Sequence, residues 1–172
     1  TVDGKPLFYI WSALALPNPA EFIQLWQQLA KENGLKGIYF VGLQFNLLES
    51  EKSLKTTLTK NIPNYAQHHY DQLLELGYDA VNSRGYHRAD LYCRSIWDIL
   101  WRSFSIRLFK HFPISKCDQR KINKWLYTEE DRQENVYPTH MPNRDRTPRS
   151  GRRARIYTKS RPEVIGENID KV

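Results

Sequence analysis

Apolar segments of strand length alternate with an amphipathic helix in the first quarter of the chain, and few folds accommodate that alternation. Residues 6–11 form a nearly continuous apolar run, which is typical of a parallel strand covered on both faces. A helix is predicted to begin at Asn18, which can cap it, and Pro19, which fits the first helical position, and to end at Gly34. Residues 37–43 form the next buried strand. Strand, helix and strand within about 40 residues predict a βαβ unit with a right-handed crossover.

The alternation continues more loosely toward the C-terminus. Helices are predicted at residues 64–76 and from Ser160 onward, and strands at residues 78–81, 136–141 and 154–158. Between them, apolar residues recur every three or four positions over residues 89–110, which predicts a single amphipathic helix. Strands that alternate with helices are typical of a parallel α/β fold.

The pattern divides the chain into three segments. Residues 1–84 supply βα units, residues 85–134 a helical insertion, and residues 135–172 a strand, a polar loop and the start of the next helix. With 172 residues, of which 40% are hydrophobic, the chain can bury a core and is not a disordered segment. No apolar run approaches the roughly 18 residues of a membrane span. Cys93 and Cys117 lack the spacing of metal ligands, and no metal site or cofactor is expected.

The positive charge of the chain is concentrated in one segment. The net charge is +7, and residues 141–161 hold eight Arg or Lys against one acid, so the remainder is balanced. Such a local cluster indicates an anionic ligand, a phosphate or a solvated loop. Because Pro142, Pro148 and Gly151 interrupt the segment, no recognition helix can present its arginines to nucleic acid, and no nucleic-acid partner is expected.

A polar turn follows the strand predicted at residues 136–141, where α/β proteins commonly place ligand-binding groups. Its candidate binding residues are Asn143, Arg144, Asp145, Thr147 and Arg149. Asp145 can accept several hydrogen bonds from sugar hydroxyls, and Arg149 can hold a phosphate or carboxylate bidentately, with Arg144 or Arg146 assisting. The alternative is ordinary turn chemistry, in which Asp145 and Thr147 bond nearby backbone groups.

Four ordered motifs carry a family resemblance. The run from Pro142 to Gly151, followed by Ser160, Pro162 and Glu163, resembles the M-P-N-W-D-x-T-P-R-S-G and S-T-P-E signature of the WbsX family. Residues 3–8, 26–38 and 76–80 are similar to further motifs of that family, in the same order. These proteins are glycosyltransferase-like and related to glycoside hydrolase family 99. Arg144 stands where the family usually has Trp, and Arg146 where it has Asn or His.

The resemblance implies part of a (β/α)8 TIM barrel that acts on carbohydrate in bacterial surface (lipopolysaccharide) polysaccharide biosynthesis, in the cytoplasm. This chain would supply later βα units with a helical insertion, and other strands would complete the barrel. The paired carboxylates that the family places in a W-N-E-W-x-E strand have no counterpart here, so no catalytic residue is assigned and the isolated chain is expected to be inactive. An inactive fragment or a polyanion-binding module is the alternative.

The expected ligand is a carbohydrate or a sugar phosphate, bound at the carboxyl ends of the barrel strands. Trp11 can offer its apolar face to a sugar ring there, although core packing is a competing role for it. Further candidates at strand ends are Ser12, Gln44, Asn46, Asn82 and Arg84. Asp79, within a predicted strand, is expected to pair with an arginine such as Arg84.

Overall fold

The computed structural model describes residues 1–43, 65–83, 85–93, 95–110 and 114–171. Helices alternate with strands over these residues, and the four pairings between the named strands are all parallel. The predicted parallel α/β class is therefore confirmed. The chain divides into two compact units. Of the described residues, unit 1 comprises 1–43, 65–83 and 129–139, and unit 2 comprises 85–93, 95–110, 114–128 and 140–171.

Unit 1 is a four-stranded parallel sheet with two helices. In chain order its elements are β1 (Leu7–Ile10), α1 (Pro19–Glu32), β2 (Tyr39–Leu43), α2 (Tyr65–Glu75), β3 (Ala80–Ser83) and β5 (Val136–Pro138). The strands lie side by side in the order β1, β2, β3, β5, so that each strand pairs with the next one of this unit along the chain. β3 lies two residues later than predicted, and β5 ends at Pro138 although the apolar pattern predicted a strand to Met141.

One face of this sheet forms the core of unit 1 together with the helices. Phe40, Val81 and Val136 share that face and are buried in one cluster with Ile23 of α1 and Leu73 of α2. The sheet is tightly packed at its centre, since a Cβ added at Gly42 would lie 3.0 Å from the ring of Tyr78. The apolar run of β2 thus reflects burial, as the sequence predicted. The prediction that β1 is covered on both faces is wrong, because β1 is an edge strand of this sheet and its Leu7, Phe8 and Tyr9 are exposed.

Two polar side chains, one from α1 and one preceding β3, form hydrogen bonds with the backbone at the start of β2. Gln27 of α1 donates to the carbonyl of Ile38 at 2.7 Å and accepts from its N–H at 2.9 Å. Asp79 accepts from the N–H of Phe40 at 2.8 Å, and its own N–H donates to the Phe40 carbonyl at 2.9 Å. The carboxylate of Asp79 therefore bonds the neighbouring strand, whereas its expected partner Arg84 lies outside the described residues. Gln44 and Asn46 lie outside them as well.

Unit 2 consists of short helices around a two-stranded parallel sheet. Its elements are α3 (Gly85–Tyr92), α4 (Ile96–Phe109), β4 (Ser115–Asp118), α5 (Gln119–Asn123), α6 (Thr147–Ser150), β6 (Arg155–Thr158) and α7 (Pro162–Ile169). β4 pairs with β6, and the buried residues Ala89, Cys117, Ile122 and Tyr157 form the core. Both cysteines are free thiols. No helix in the described part of the chain is long and apolar enough to cross a membrane.

The single helix predicted over residues 89–110 is wrong, because the chain forms two helices there. α3 ends at Tyr92, and α4 begins at Ile96 after Ser95, whose hydroxyl accepts from the N–H of Trp97 at 3.3 Å and so caps the new helix. The regular apolar spacing on α4 does not mark a buried face, since Trp97 is 79% exposed. β4 was not predicted, and Cys117 is buried within it.

Candidate functional site

The carboxyl ends of the strands in unit 1 carry a connected group of polar and aromatic side chains. Asn82, at the end of β3, accepts from the hydroxyl of Tyr9 at 3.3 Å and from that of Thr139 at 2.9 Å. Its amide also donates to the carbonyl of Tyr137 at 3.0 Å. Because parallel strands end at the same edge, one amide links β1, β3 and β5 there. We call Tyr9, Trp11, Asn82 and Thr139 the sheet-edge cluster.

Trp11 adds an aromatic surface to this cluster. It follows β1 directly and is 56% exposed, so that the core-packing role considered for it does not describe its position. Its ring lies 6.5 Å from that of Tyr9 at an interplanar angle of 61°. An exposed indole beside amide and hydroxyl groups offers both an apolar face and hydrogen-bonding partners to a ligand.

Two tyrosines on the same face of the sheet are hydrogen-bonded to each other. The hydroxyl of Tyr137 donates to that of Tyr39 at 3.1 Å. This hydrogen bond, together with burial, raises the pKa of Tyr39 to about 12. Tyr39 is therefore a neutral hydrogen-bonding group at physiological pH and not a general base.

In unit 2, the turn predicted to bind ligand is organised by its own side chains. Asp145 accepts from both the N–H and the hydroxyl of Thr147, at 2.8 Å and 2.7 Å, immediately before α6 begins. Asn143 accepts from the N–H of Arg144 at 2.7 Å. The carbonyl of Arg144 accepts from the N–H of Tyr157, which ties the turn to β6. The turn chemistry considered from the sequence is thus present.

The carboxylate of Asp145 stays solvent-exposed within this turn. The hydrogen bonds from the side chain and then the backbone of Thr147 lower its pKa. Asp145 is therefore ionised at neutral pH and suited to accept hydrogen bonds from a ligand, not to donate a proton. Arg149, on α6, is exposed as well.

Arg144 has a different environment from the rest of the turn. Its guanidinium lies 2.9 Å from the carboxylate of Asp90 and 5.4 Å and 5.7 Å from the ring centres of Tyr86 and Tyr157. Tyr157 donates to Asp90 at 2.6 Å, and Arg155 contacts the same carboxylate at 3.3 Å. Asp90 is thus the centre of an ion-paired group with Arg144, Arg155 and Tyr157, which we call the Asp90 network.

The Asp90 network is a partly buried assembly in which each charge has a partner. Burial opposes the charge of Arg144, but Asp90 and Tyr157 outweigh that effect and raise its pKa. Burial, followed by the charge of Asp90, also raises the pKa of Tyr157. No local pattern indicates the role of Asp90, because it precedes its partner Arg144 by 54 residues.

A cavity of about 560 Å³ opens beside this network within unit 2. Its described walls come from α4, from the start of β4, and from the segment that runs from Arg144 to Arg155. Of the turn residues predicted to bind ligand, Arg144 lines the cavity, whereas Asn143, Asp145, Thr147 and Arg149 are not among its described lining residues. Among described residues, no group of three or more His, Cys, Asp or Glu side chains is placed to hold a metal ion.

Comparison with known proteins places the chain in a family. A family model described as glycosyltransferase WbsX matches residues 1–172. The chain belongs to the WbsX glycosyltransferase family. Membership in this family supports a carbohydrate-active role and confirms the resemblance seen in the sequence. No curated protein and no solved structure matches the chain. Arg144 and Arg146 both line the cavity of unit 2.

Proposed function

We propose that this chain supplies carbohydrate-binding groups to a (β/α)8 barrel that transfers or cleaves glycosyl groups in bacterial surface polysaccharide biosynthesis. The sheet-edge cluster carries this proposal. It combines an exposed indole, an amide and hydroxyls at the carboxyl ends of parallel strands, which is where barrel enzymes bind their substrates.

The strand order of unit 1 supports a barrel. In the order β1, β2, β3, β5 each strand pairs in parallel with the next one of the unit, as in a sheet that closes by adding successive βα units. An open doubly wound sheet would instead reverse its strand order at a switch point. Each of the four strands is added on the same side of the sheet as the one before it, as in half of a barrel.

The exposed turn in unit 2 supplies a second set of binding groups in this proposal. Asp145 is an ionised acceptor whose outward position is fixed by Thr147. Asn143 and Arg149 are exposed on the same short segment and offer an amide and a guanidinium. Sugar hydroxyls are bound by such amide and carboxylate groups, and a sugar phosphate by a guanidinium.

The polyanion-binding alternative is less well supported. Arg144 and Arg155 are only 12% and 13% exposed and are both ion-paired with Asp90, so that they cannot serve a broad electrostatic surface. Glycosyl transfer and hydrolysis commonly use a pair of carboxyl groups across the reacting centre, and this proposal assigns no catalytic residue within the described part of the chain.

The test is a saccharide titration of the full-length protein that contains this chain. Calorimetry with neutral oligosaccharides of the bacterial surface polysaccharide would give affinities for the parent and for Trp11→Ala. We expect at least a tenfold loss of affinity, about 1.4 kcal/mol, because an aromatic face in contact with a sugar ring is removed. The melting temperature should hardly change, since Trp11 is largely exposed.

Trp97→Ala is the matched control for this titration. It removes the same side chain from a helix surface where it is even more exposed, in unit 2. Equal affinities for Trp97→Ala and the parent, with a loss for Trp11→Ala, support the sheet-edge cluster. Equal effects of the two substitutions, or none, would reject it as the saccharide site.

A further inference from the structure

The cavity of unit 2 has an excess of positive charge. Its described lining includes five basic side chains, Arg102, Lys116, Arg144, Arg146 and Arg155, and two acidic ones, Asp90 and Asp98, which leaves five minus two, or three, positive charges. Positive walls in a concave site concentrate anions, because the low-dielectric surroundings focus the field.

The acid nearest to these cations cannot neutralise them all. Asp90 is shared between Arg144 at 2.9 Å and Arg155 at 3.3 Å, so one carboxylate faces two guanidinium groups. Tyr157 donates a third contact to the same carboxylate. In addition, Nε of Arg155 is buried and lacks a hydrogen-bond partner in the described part of the chain. A buried donor without an acceptor is costly, so the charge of Arg155 is only partly compensated by its described partners.

The remaining walls are suited to a sugar ring and not to a bare ion. Trp101 is 60% exposed and lines the cavity beside the isoleucines of α4, while Ser115 and Ser150 add hydroxyl groups. The volume of about 560 Å³ lies within the range of small-molecule sites. Apolar walls next to cations and hydroxyls match a saccharide that carries one charged substituent.

We propose that this cavity binds the anionic group, a phosphate or a carboxylate, of a saccharide ligand. This inference rests on the proposed carbohydrate function, and it names the class of ligand for the cavity of unit 2. Arg144 and Arg146 both supply positive charge to the cavity.

The experiment uses calorimetry on the full-length protein with three probes that share one sugar framework. Glucose 1-phosphate carries a phosphate, glucuronate carries a carboxylate, and glucose is neutral. At about 0.05 M salt, at least one anionic probe should bind at least about tenfold more tightly than glucose. Because the attraction is electrostatic, the advantage should shrink at about 0.5 M salt.

Variants locate the binding. Arg146→Gln removes an exposed cavity cation that has no place in the Asp90 network, and it should weaken the anionic probe about tenfold with unchanged folding. Arg161→Gln is the control, since it removes the same charge from an exposed position outside the described cavity lining. Lys116→Gln, in β4, provides a second cavity variant should the first alter the fold, which circular dichroism would show.

The outcomes separate the ligand sources. Tight binding of glucose 1-phosphate alone assigns a sugar phosphate, binding of glucuronate alone assigns an acidic sugar, and binding of both assigns the anionic group in general. Equal affinity for all three probes, or equal effects of Arg146→Gln and Arg161→Gln, would overturn the inference. A Trp11-dependent affinity for neutral saccharide that persists in that case would leave the proposed function standing.

Discussion

Replacing Asp90 by Asn should destabilise unit 2 more than any other single change in its polar groups. Asp90 contacts Arg144 at 2.9 Å and Arg155 at 3.3 Å, and it accepts from Tyr157 at 2.6 Å. Asn has nearly the same shape, so the packing is preserved, but its amide carries no charge. Two guanidinium groups would then remain together, each with only 12% or 13% of its side chain exposed and neither with an anionic partner.

The expected loss follows from that burial. Removing one partner of a buried ion pair costs about 3–5 kcal/mol, because the remaining charge stays desolvated. We expect the lower end, about 3 kcal/mol, since the amide oxygen of Asn can still accept one hydrogen bond. At about 2–4 °C per kcal/mol for a chain of this size, the melting temperature of the protein should fall by about 6–12 °C.

Hydrogen exchange of the β6 amides is the appropriate assay, because it reports on unit 2 even if the two units unfold separately. A double-mutant cycle with Arg144→Gln isolates the ion pair. The double variant should be less destabilised than the sum of the single ones by at least about 1 kcal/mol. A loss below about 1 kcal/mol for Asp90→Asn, or strict additivity, would refute the network as a source of stability.

Three further predictions concern the core and two titrating groups. Gly42→Ala should cost about 1–3 kcal/mol in urea denaturation, because the new Cβ would lie 3.0 Å from the ring of Tyr78 and 3.2 Å from Cβ of Ala13. Burial, and then the neighbouring histidine, lowers the pKa of His69 below its usual 6.5. Folding therefore favours its neutral form, and stability should be lost as the pH falls from about 6.5 through the lowered pKa, a loss that His69→Gln should reduce. The contribution of Asp145 is present above its usual pKa of about 3.8 and should disappear as the pH falls through the lowered one, which a carboxyl titration by NMR would show by a midpoint below that of a model peptide.

Local patterns predicted unit 1 well because its elements follow one another along the chain. Continuous apolar runs predicted β1 and β2, and Pro19 marked the start of α1. Even there the capping was different from the expectation, since Asn18 adopts a left-handed conformation and its amide donates to Glu21 at 3.1 Å without capping the helix. The helix start depended on Pro19, whose fixed φ suits the first helical position.

Unit 2 was predicted only in part. The strand predicted at residues 154–158 and the helix predicted from Ser160 are confirmed by β6 and α7, but the decisive contacts of this unit are distant in sequence. The ion pair between Asp90 and Arg144 joins residues 54 positions apart, and no pattern within a helix length indicates it. The spacing that suggested one helix over residues 89–110 also could not show which face would be covered, so that exposed Trp97 and Trp101 were indistinguishable from core residues. Apolar residues at helical spacing predict an apolar stripe along one side of a helix, and only the tertiary structure shows whether that stripe is buried.

The candidate site was predicted in part for the same reason. Trp11 and Asn82 were identifiable because they end predicted strands, and the parallel sheet brings such ends together. Thr139 was not identified, since the strand was expected to run to Met141 and ends at Pro138. In the turn, Arg144 was grouped with Arg149 as a ligand-binding pair, yet the structure directs Arg144 into the Asp90 network.

The proposal of a carbohydrate site at the strand ends is tested most directly by a hydrogen-exchange footprint of the full-length protein with and without bound neutral oligosaccharide. We expect slower exchange at the amides that follow β1, β3 and β5, around Trp11, Ser83 and Thr139, and no change at the opposite ends of these strands. Protection confined to other parts of the protein, while these three strand ends exchange as before, would contradict it.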